Sequence, residues 1–419
     1  MDHRRLHSER GGELVGTPTK ALRGLLSGMS DASLEPQPIR TEQSNSSITF
    51  GSHLIMKLFR KIDSGLNPDL EIGRFLTDER DFPHTPPVGG SIEYTRSGEE
   101  PLTLAVLQGF VPNEGDAWSY TLDILRSYFD TVLARPELDP PDTPGTLVAL
   151  LDASGADESA LAGELVASYL ERARLLGQRT AELHLALASV TSPDFAPEPF
   201  SQLYQRSIYQ GMRTLTVQTF DGLRTLLPTL PESVRTEAKA ALDSEDALLT
   251  RFQRIVGAKI VASRTRVHGD YHLGQVLFTG TDFMIIDLEG EPMRPISERR
   301  IKRSPLRDVA GMLRSFQYAA YSSSFSHTGD MAVTEEDAAR LRRWADFWCF
   351  WVSAAYLGSY IKHAGEASFM PAARADLETL LEVYVLEKTV YELGYEMNNR
   401  PTWMSLPLSG ILRQASGSR

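Results

Sequence analysis

The 419-residue sequence has little cysteine, little positive charge and no long apolar run, and each shortage excludes a class of protein. The single cysteine, Cys349, excludes an intramolecular disulfide, and its aromatic neighbours indicate a buried, unreactive thiol. The net charge of -12 argues against a nucleic-acid partner, because phosphate backbones require a basic surface. The longest apolar stretch, near residues 347–357, is too short to span a bilayer. The polar, basic N-terminus argues against a secretory signal, so we expect a cytoplasmic protein without a membrane partner.

The N-terminal part also lacks a Gly-x-Gly-x-x-Gly loop, the common backbone cradle for phosphate groups. In its place, before the first strand-like run, stands the polar string EQSNSS, residues 42–47. Ser44, Asn45 and Ser46 have side chains that turn the chain and offer hydroxyl, amide and backbone N–H donors to a phosphate. Taken alone, this string is a weak turn signal.

Hydrophobic periodicity divides the chain into three parts. Residues 1–40 are predicted to be a tail with a short helix fragment, too small for a core of its own. Residues 41–112 are predicted to form a small antiparallel sheet carrying one helix, with strands at 47–50, 53–59, 90–94 and 102–106 and the helix starting near residue 70. Residues 113–419 are predicted to be helical, at 117–133, 163–189, 200–227, 234–256, 308–320, 335–363 and 372–398, with a short β segment within 265–286. This is an α+β fold.

The chemistry is concentrated in the string RVHGDYHLGQVLFTGTDFMIIDLEGE, residues 266–291. Asp270 lies at a strand-to-loop transition, five residues before Gln275, and a hydrophobic hairpin then delivers Asp287. Phosphoryl transfer needs a group that accepts the proton of the attacking hydroxyl, together with divalent ions that neutralise phosphate oxygens. Magnesium prefers hard oxygen ligands, commonly carboxylates plus phosphate. A hairpin that brings these three residues to one end of a small sheet supplies both requirements.

This string resembles the aminoglycoside-phosphotransferase branch of the protein-kinase-like fold. Three stretches are more specifically similar to bacterial maltokinases: HLGQVL (272–277), DLEGEP (287–292) and SPLRDVAGMLRSF (304–316). The resemblance covers roughly residues 42–412. It implies a two-lobed protein-kinase-like fold with a small antiparallel β-rich N-lobe, a large helical C-lobe and a reduced N-terminal cap segment.

The same resemblance implies ATP and Mg²⁺ as cofactors. Asp270 would be the catalytic base. Gln275 and Asp287 would hold the metal, with Glu289 as an additional ligand. The polar string with Ser44, Asn45 and Ser46 also looks like its maltokinase counterpart.

Lys57 ends the strand-like run LIMK, and taken alone it favours a solubility residue of an edge strand. The resemblance implies that it is instead the partner of the ATP phosphates and of an acid on the following helix. Asp69 and Glu71 are both candidates for that acid, and the resemblance favours Glu71. The stretch LAVLQGFVP, residues 104–112, resembles a kinase hinge. Its adenine-contacting residues would be Gln108, Phe110 and Val111.

Lys388, Tyr391 and Tyr395 fall on one helical face. By itself this spacing favours a core stripe with a snorkelling lysine. Because EKTVYE (387–392) and NRPTW (399–403) also look like maltokinases, the resemblance implies that these three residues contact maltose. His272 is a further candidate.

The function implied is transfer of the γ-phosphoryl group of ATP to the anomeric hydroxyl of maltose. The product, maltose 1-phosphate, would feed α-glucan (glycogen) synthesis from trehalose, with trehalose synthase as the partner that supplies maltose. Two alternatives stay open. One is a kinase of the same fold acting on an aminoglycoside or another small hydroxyl substrate, against which the Lys388 helix face argues. The other is a non-catalytic kinase-like subunit that binds trehalose synthase, against which the intact Lys57, Asp270 and Asp287 argue.

Overall fold

The computed structural model describes residues 5–7, 11–27, 34–39, 45–188, 192–330 and 335–416. The chain divides into two compact units. The first contains residues 1–119, 183–195 and 266–303, and the second contains residues 120–182, 196–265 and 304–419. The catalytic string 266–291 therefore groups with the N-terminal sheet, whereas the sequence pattern had assigned it to the helical part.

The bounds of the secondary-structure elements follow in chain order. The strands are β1 (Arg5–His7), β2 (Gly12–Pro18), β3 (Pro36–Pro38), β4 (Ser46–Phe50), β5 (Leu54–Leu58), β6 (Val88–Arg96), β7 (Leu102–Gly109), β8 (Glu198–Pro199), β9 (Ser263–Arg264), β10 (Val276–Phe278) and β11 (Phe283–Ile285). The helices are α1 (Leu22–Leu25), α2 (Pro68–Asp78), α3 (Ala117–Leu133), α4 (Leu147–Ser154), α5 (Ala160–Leu165), α6 (Ala167–Leu187), α7 (Gln202–Leu226), α8 (Glu232–Asp243), α9 (Glu245–Gly257), α10 (Ile296–Arg299), α11 (Leu306–Asp330), α12 (Glu335–Ala364), α13 (Arg374–Asn399) and α14 (Ser405–Ser416).

The first unit is built on a seven-stranded antiparallel sheet in the order β1-β2-β6-β7-β5-β4-β3. Strands β4 to β7 confirm the four predicted strands. The described part of residues 1–40, predicted to be an N-terminal tail or reduced cap segment, contributes to the sheet, because β2 pairs with β6 from Gly12 opposite Arg96 to Pro18 opposite Gly90. A Cβ atom at Gly90 would lie 2.8 Å from the Thr17 carbonyl oxygen, so glycine is what lets β2 approach so closely.

Helix α2 begins where its sequence predicts. The Asn67 side chain caps it by accepting the Asp69 N–H at 2.9 Å, and Pro68 occupies the first helical turn. Leu70 packs in a core cluster with Val88 and Val106 of the sheet. This packing fixes α2 on the sheet, so the acidic residues of its first turn are held in place.

The catalytic string folds as the predicted hairpin. A 3₁₀-helix at Leu273–Gln275 leads into β10, which pairs antiparallel with β11 so that Val276 faces Ile285. Both side chains are fully buried. This apolar pair fixes the register and therefore the positions of the residues that precede and follow the hairpin.

The second unit is mainly helical. Its core includes the aromatic residues Trp344, Trp348, Tyr356 and Tyr360 of α12, all fully buried. The predicted long helices are present, but their division differs. The predicted helix 163–189 is shared between α5 and α6, with a break at Val166. The predicted helix 234–256 is two helices separated at Ser244, and α4, capped by Thr146, lies in a stretch that was expected to be a loop. Within the described ranges, no helix has both the length and the apolarity needed to cross a membrane.

Candidate active site

Lys57, near the end of β5, is the centre of a charged cluster in the first unit. Its Nζ lies 3.0 Å from an Asp69 carboxylate oxygen and 3.4 Å from Glu289, and it contacts Asp287 more closely still. Burial alone would lower the pKa of Lys57, but these three carboxylates outweigh burial and raise that pKa above its usual value. The ammonium group therefore stays charged in a largely buried position, with only 14% of the side chain exposed.

The helix partner of Lys57 is Asp69, which corrects the pairing with Glu71 that the resemblance implied. Residues two apart on a helix point in nearly opposite directions, so only one of the two acids faces Lys57. Asp69 also accepts the backbone N–H of Leu288 at 3.1 Å. Glu71 instead pairs with Arg266 and Arg300. Asp69 thus links the Lys57 strand to the segment that follows the hairpin.

Asp287 and Gln275 meet at the end of the hairpin, as the sequence predicted. Asp287 has a φ of 62°, a left-handed conformation that is uncommon outside glycine and that recurs at functional sites. Burial would raise the pKa of Asp287, but the charge and hydrogen bond of Lys57 and a hydrogen bond from Gln275 lower it on balance. The Asp287 carboxylate is therefore ionised and ready to bind a cation.

The loop that carries Asp270 is held by backbone and histidine contacts. Gly269 has a φ of 87°, and a Cβ atom there would lie 3.3 Å from the Cα of Gly290. His268 donates from Nε2 to the Ile286 carbonyl at 2.9 Å, and its Nδ1 accepts the Asp270 N–H at 3.4 Å. The loop geometry is therefore fixed, while one fifth of the Asp270 side chain stays exposed.

His272 lies next to the proposed base. Its Nδ1 accepts the Gly274 N–H at 3.1 Å and caps the 3₁₀-helix, which leaves the proton on Nε2. That Nε2 is 3.9 Å from an Asp270 carboxylate oxygen. Sequence reasoning placed His272 at the substrate, and in the structure it borders the carboxylate that would meet a substrate hydroxyl.

The oxygen ligands predicted for Mg²⁺ fit a site of the kind in which phosphate and water complete the coordination. Asp287 offers an ionised carboxylate and Gln275 an amide beside it. Glu289 is less well suited, because it already accepts from Asn45 at 2.9 Å and lies 3.6 Å from an Arg299 nitrogen. Over the described residues, no group of three or more His, Cys, Asp or Glu could hold a metal unaided. Asp287 and Gln275 are the residues that would bind the ion.

The polar string before β4 contacts this cluster. Asn45 is buried and donates its amide to Glu289, and the Ser46 hydroxyl accepts from Arg60 at 3.0 Å. Ser44 lies outside the described residues. Phosphate contacts by these residues stay predictions, and the structure adds that Asn45 ties the string to the segment after β11.

The hinge residues are partly committed to other contacts. Gln108 lies within β7, and the Phe110 N–H donates to the His53 carbonyl at 2.7 Å. The Val111 carbonyl accepts the Asn113 side-chain amide at 2.8 Å. Adenine binding by this stretch stays a prediction, and the Phe110 N–H is not available for it in this conformation.

Lys388, Tyr391 and Tyr395 lie on α13 in the second unit. The Lys388 ammonium is 5.0 Å from the centre of the Tyr391 ring, and the Arg400 guanidinium is 5.5 Å from that of Tyr395. Tyr395 is 45% exposed, so it is not part of a buried core stripe. Contact of these residues with a sugar stays a prediction.

Cys349 on α12 is partly buried, whereas its aromatic neighbours predicted a buried position. Burial raises its pKa to about 11, with partial compensation by a hydrogen bond with Ser353. The thiol therefore stays protonated near neutral pH and has no nucleophilic role there.

Sequence reasoning missed Arg266 and Arg300, which form the second charged cluster of the first unit around Glu71. A signal was present, since Arg266 opens the catalytic string within the segment predicted to be β structure. A buried arginine at such a position requires an acidic partner.

No family model matches the chain. A glucosamine kinase of Mycolicibacterium smegmatis is 24% identical over 390 residues, which cover 91% of this chain and 80% of that protein. One of Streptacidiphilus jiangxiensis is 23% identical over 328 residues, covering 74% of this chain and 57% of that protein.

Solved structures give the same picture of the fold. A glucosamine kinase structure, crystal form B, superposes with a TM-score of 0.65 at 20% identity, covering 95% of this chain and 78% of that one. A glucosamine kinase in complex with glucosamine, ADP and inorganic phosphate gives 0.63 at 19% identity, covering 97% and 90%. Likeness at this level of identity reports on fold alone. The chain has a protein-kinase-like fold, an N-terminal antiparallel sheet followed by a helical region, which confirms the predicted fold class.

Proposed function

We propose that the protein is an ATP-dependent kinase that transfers a phosphoryl group to a hydroxyl of a small sugar. The observation that carries the proposal is the Lys57 cluster, in which one ammonium group faces Asp69 and Asp287 in the unit that also holds the Asp270 loop. A lysine for the phosphates, a carboxylate for a metal and a second carboxylate for the acceptor hydroxyl are what phosphoryl transfer requires.

In the proposed reaction a sugar hydroxyl oxygen attacks the γ-phosphorus of ATP. Asp270 accepts the proton of that hydroxyl as the new P–O bond forms, and the bond to the β,γ-bridging oxygen breaks so that ADP leaves. Lys57 orients the α- and β-phosphates by its charge. Magnesium, held by Asp287 and Gln275, would neutralise phosphate charge when bound. The exposed edge of Asp270 beside His272 is the proposed position of the acceptor hydroxyl.

Glucosamine is the acceptor that we propose first. Its support is the activity for which the relatives are named. The two similar proteins described above are glucosamine kinases, and one similar structure contains glucosamine with ADP and inorganic phosphate. Maltose, phosphorylated at its anomeric hydroxyl, is the second candidate. Its support is the resemblance of the strings EKTVYE and NRPTW to maltokinases, and the link to trehalose synthase and glycogen synthesis belongs to this candidate alone.

An acceptor panel tests the proposal. The full chain is incubated with ATP, Mg²⁺ and glucosamine, N-acetylglucosamine, glucose, maltose or kanamycin. ADP release and the mass of the phosphorylated product are measured. We expect a phosphate ester of glucosamine from the wild type and from Asp282→Asn, a turn aspartate of the same hairpin, but not from Asp270→Asn.

Other outcomes of the panel decide between the candidates. Transfer to maltose alone would favour the second acceptor. Transfer to kanamycin alone would refute a simple sugar as substrate. If the wild type phosphorylates none of the acceptors and matches Asp270→Asn, the kinase proposal fails and a non-catalytic subunit is favoured.

A further inference from the structure

We infer that Glu71 is a positioning residue that acts through Arg266 and Arg300. It fixes the proposed catalytic loop, residues 268–275 around Asp270, to helix α2. The inference rests on the proposed function, since it concerns the placement of Asp270. It assigns to Glu71 a role different from that of a lysine partner. All of the residues that carry it lie within the first unit.

The contacts of Glu71 are strong and directional. Arg300 binds it through two nitrogens, with Nη2 2.7 Å from Oε1 and Nε 3.0 Å from Oε2. Arg266 contacts the same carboxylate through Nη2 and donates from Nη1 to the backbone carbonyl of Arg300. Bidentate guanidinium–carboxylate pairs fix orientation as well as distance. The three side chains therefore hold three separate chain segments in one geometry.

Charge and burial make this cluster dependent on Glu71. The Arg266 side chain is 4% exposed and that of Glu71 is 7% exposed. Burial lowers the pKa of Arg266, and Glu71 opposes that effect. The pKa of Arg300 is raised, first by its hydrogen bond to Glu71. Removing the Glu71 charge would leave the buried Arg266 guanidinium without its main counter-charge. Because an unpaired buried charge is strongly destabilising, we expect the Arg266 side chain to move.

Aromatic packing provides a second link between helix α2 and Arg266. The Phe195 ring stacks on Phe75 of α2 with ring centres 3.7 Å apart and planes 7° from parallel. The Arg266 guanidinium lies 5.8 Å from the centre of the Phe195 ring. Arg266 is thus held between an acid and an aromatic ring that both depend on α2.

The position of Arg266 in the chain connects the Glu71 cluster to the proposed catalytic residues. It lies four residues before Asp270, and the intervening His268 is tied to the Ile286 carbonyl just before Asp287. Helix α2 also carries Asp69, the partner of Lys57. One helix therefore sets the position of the nucleotide lysine through Asp69 and that of the catalytic loop through Glu71. Loss of Glu71 should displace Asp270 and leave the Lys57–Asp69 pair in place.

Steady-state kinetics of three variants test this role. Glu71→Gln removes the charge at constant shape, and Arg300→Gln removes the bidentate partner at a position that is 38% exposed. Ile72→Val, on the same helix and 2% exposed, removes one buried methyl group without touching the cluster. We expect a decrease in kcat of roughly tenfold for Arg300→Gln and up to about hundredfold for Glu71→Gln, because small misplacements of catalytic groups are costly. The KM for ATP should stay within about threefold of wild type, since the Lys57 pair is retained.

Amide hydrogen exchange provides a readout that does not require turnover. Residues 268–275 should exchange faster in Glu71→Gln and Arg300→Gln than in the wild type and Ile72→Val. Wild-type kcat in Arg300→Gln, or an equal kcat loss in Ile72→Val at matched thermal stability, would overturn the inference. So would unchanged exchange of the loop. If the wild type phosphorylates no acceptor but the exchange difference is present, the proposed function fails while the anchoring of the loop by Glu71 stands.

Discussion

The two charged clusters attached to α2 have opposite charge balance. Around Lys57, one ammonium group faces the three carboxylates of Asp69, Asp287 and Glu289. Around Glu71, one carboxylate faces two guanidinium groups. Each cluster has one member that reaches solvent, since a quarter of the Asp287 side chain is exposed in the first and 38% of the Arg300 side chain in the second.

This difference supports the proposal that the Lys57 cluster binds nucleotide and metal whereas the Glu71 cluster has a structural role. An excess of carboxylates is stabilised by added cations, as expected where magnesium and a nucleotide enter. The Glu71 cluster has no such excess, and its two guanidinium groups occupy both oxygens of the acid. Asp69 and Glu71, two residues apart on α2, therefore have different partners, and we propose that these partners give them different roles.

The largest expected effect is at Asp270, the proposed catalytic base. Asp270→Asn should reduce kcat by roughly 10²- to 10⁴-fold, the usual range for loss of a general base. Its melting temperature should stay close to that of wild type, because the side chain is partly exposed. Kinetics and thermal unfolding check this, with Asp282→Asn as the matched control. A variant with more than a tenth of the wild-type kcat would show that Asp270 is not the base.

The second largest effect tests whether the carboxylates around Lys57 hold a metal ion. Asp287→Asn should lower kcat/KM by roughly 10²- to 10³-fold, because the ionised ligand that would hold magnesium against the phosphates is lost. Part of the loss should return at high Mg²⁺ concentration, and a magnesium titration of the rate would reveal it. Full activity of the variant at low Mg²⁺ would contradict a role of Asp287 in holding the metal.

Removal of the shared cation should destabilise the protein. Lys57→Met leaves three carboxylates without their common partner, and breaking a buried ion pair costs about 3–5 kcal/mol. Urea unfolding measures this against Lys61→Met, whose side chain is 62% exposed and whose loss should cost little. Added Mg²⁺ should recover more stability in Lys57→Met than in wild type. Equal stability of the two lysine variants would refute the interpretation of the cluster as carboxylate-rich.

The smallest effect concerns Glu289 and depends on pH. Burial raises the pKa of Glu289 above its usual 4.5, and Asp287 and Asp69 add to that effect, so that its ionisation opposes folding. A carboxyl group whose pKa is higher in the folded state than in the unfolded state stabilises the fold at pH values below its unfolded-state pKa. That stabilisation is lost as the pH rises through the folded-state pKa. Glu289→Gln should therefore unfold at higher urea than wild type near neutral pH, and the advantage should disappear as pH falls below about 4.

Asp287 should show the opposite dependence. Its lowered pKa gives stability that is present above the usual value of 3.8 and is lost as pH falls through the native pKa. Urea unfolding of wild type, Glu289→Gln and Asp287→Asn over a range of pH separates the two acids. A Glu289→Gln advantage that is the same at all pH values would show that ionisation of Glu289 is not its source.

The sequence was most informative where chain neighbours meet. Gln275 and Asp287 flank a short hairpin, so the antiparallel register that buries Val276 against Ile285 also brings the two polar side chains together. The capping of α2 by Asn67 is likewise local and was predictable. The pairing of β2 with β6 was missed, because it depends on backbone hydrogen bonds between segments far apart in the chain and on the absence of a side chain at Gly90.

By itself, the sequence determined the chemical groups of the catalytic loop, the hairpin that presents them and the kinase-like fold class. Only the tertiary structure decided which acid of α2 meets Lys57 and which holds Arg266. That choice depends on the rotation of a packed helix relative to Lys57, 12 positions from Asp69, and to Arg266, 195 positions from Glu71. A helical period of 3.6 residues turns a two-residue difference in sequence into opposite faces, and the packing of Leu70 against the sheet fixes which face looks where.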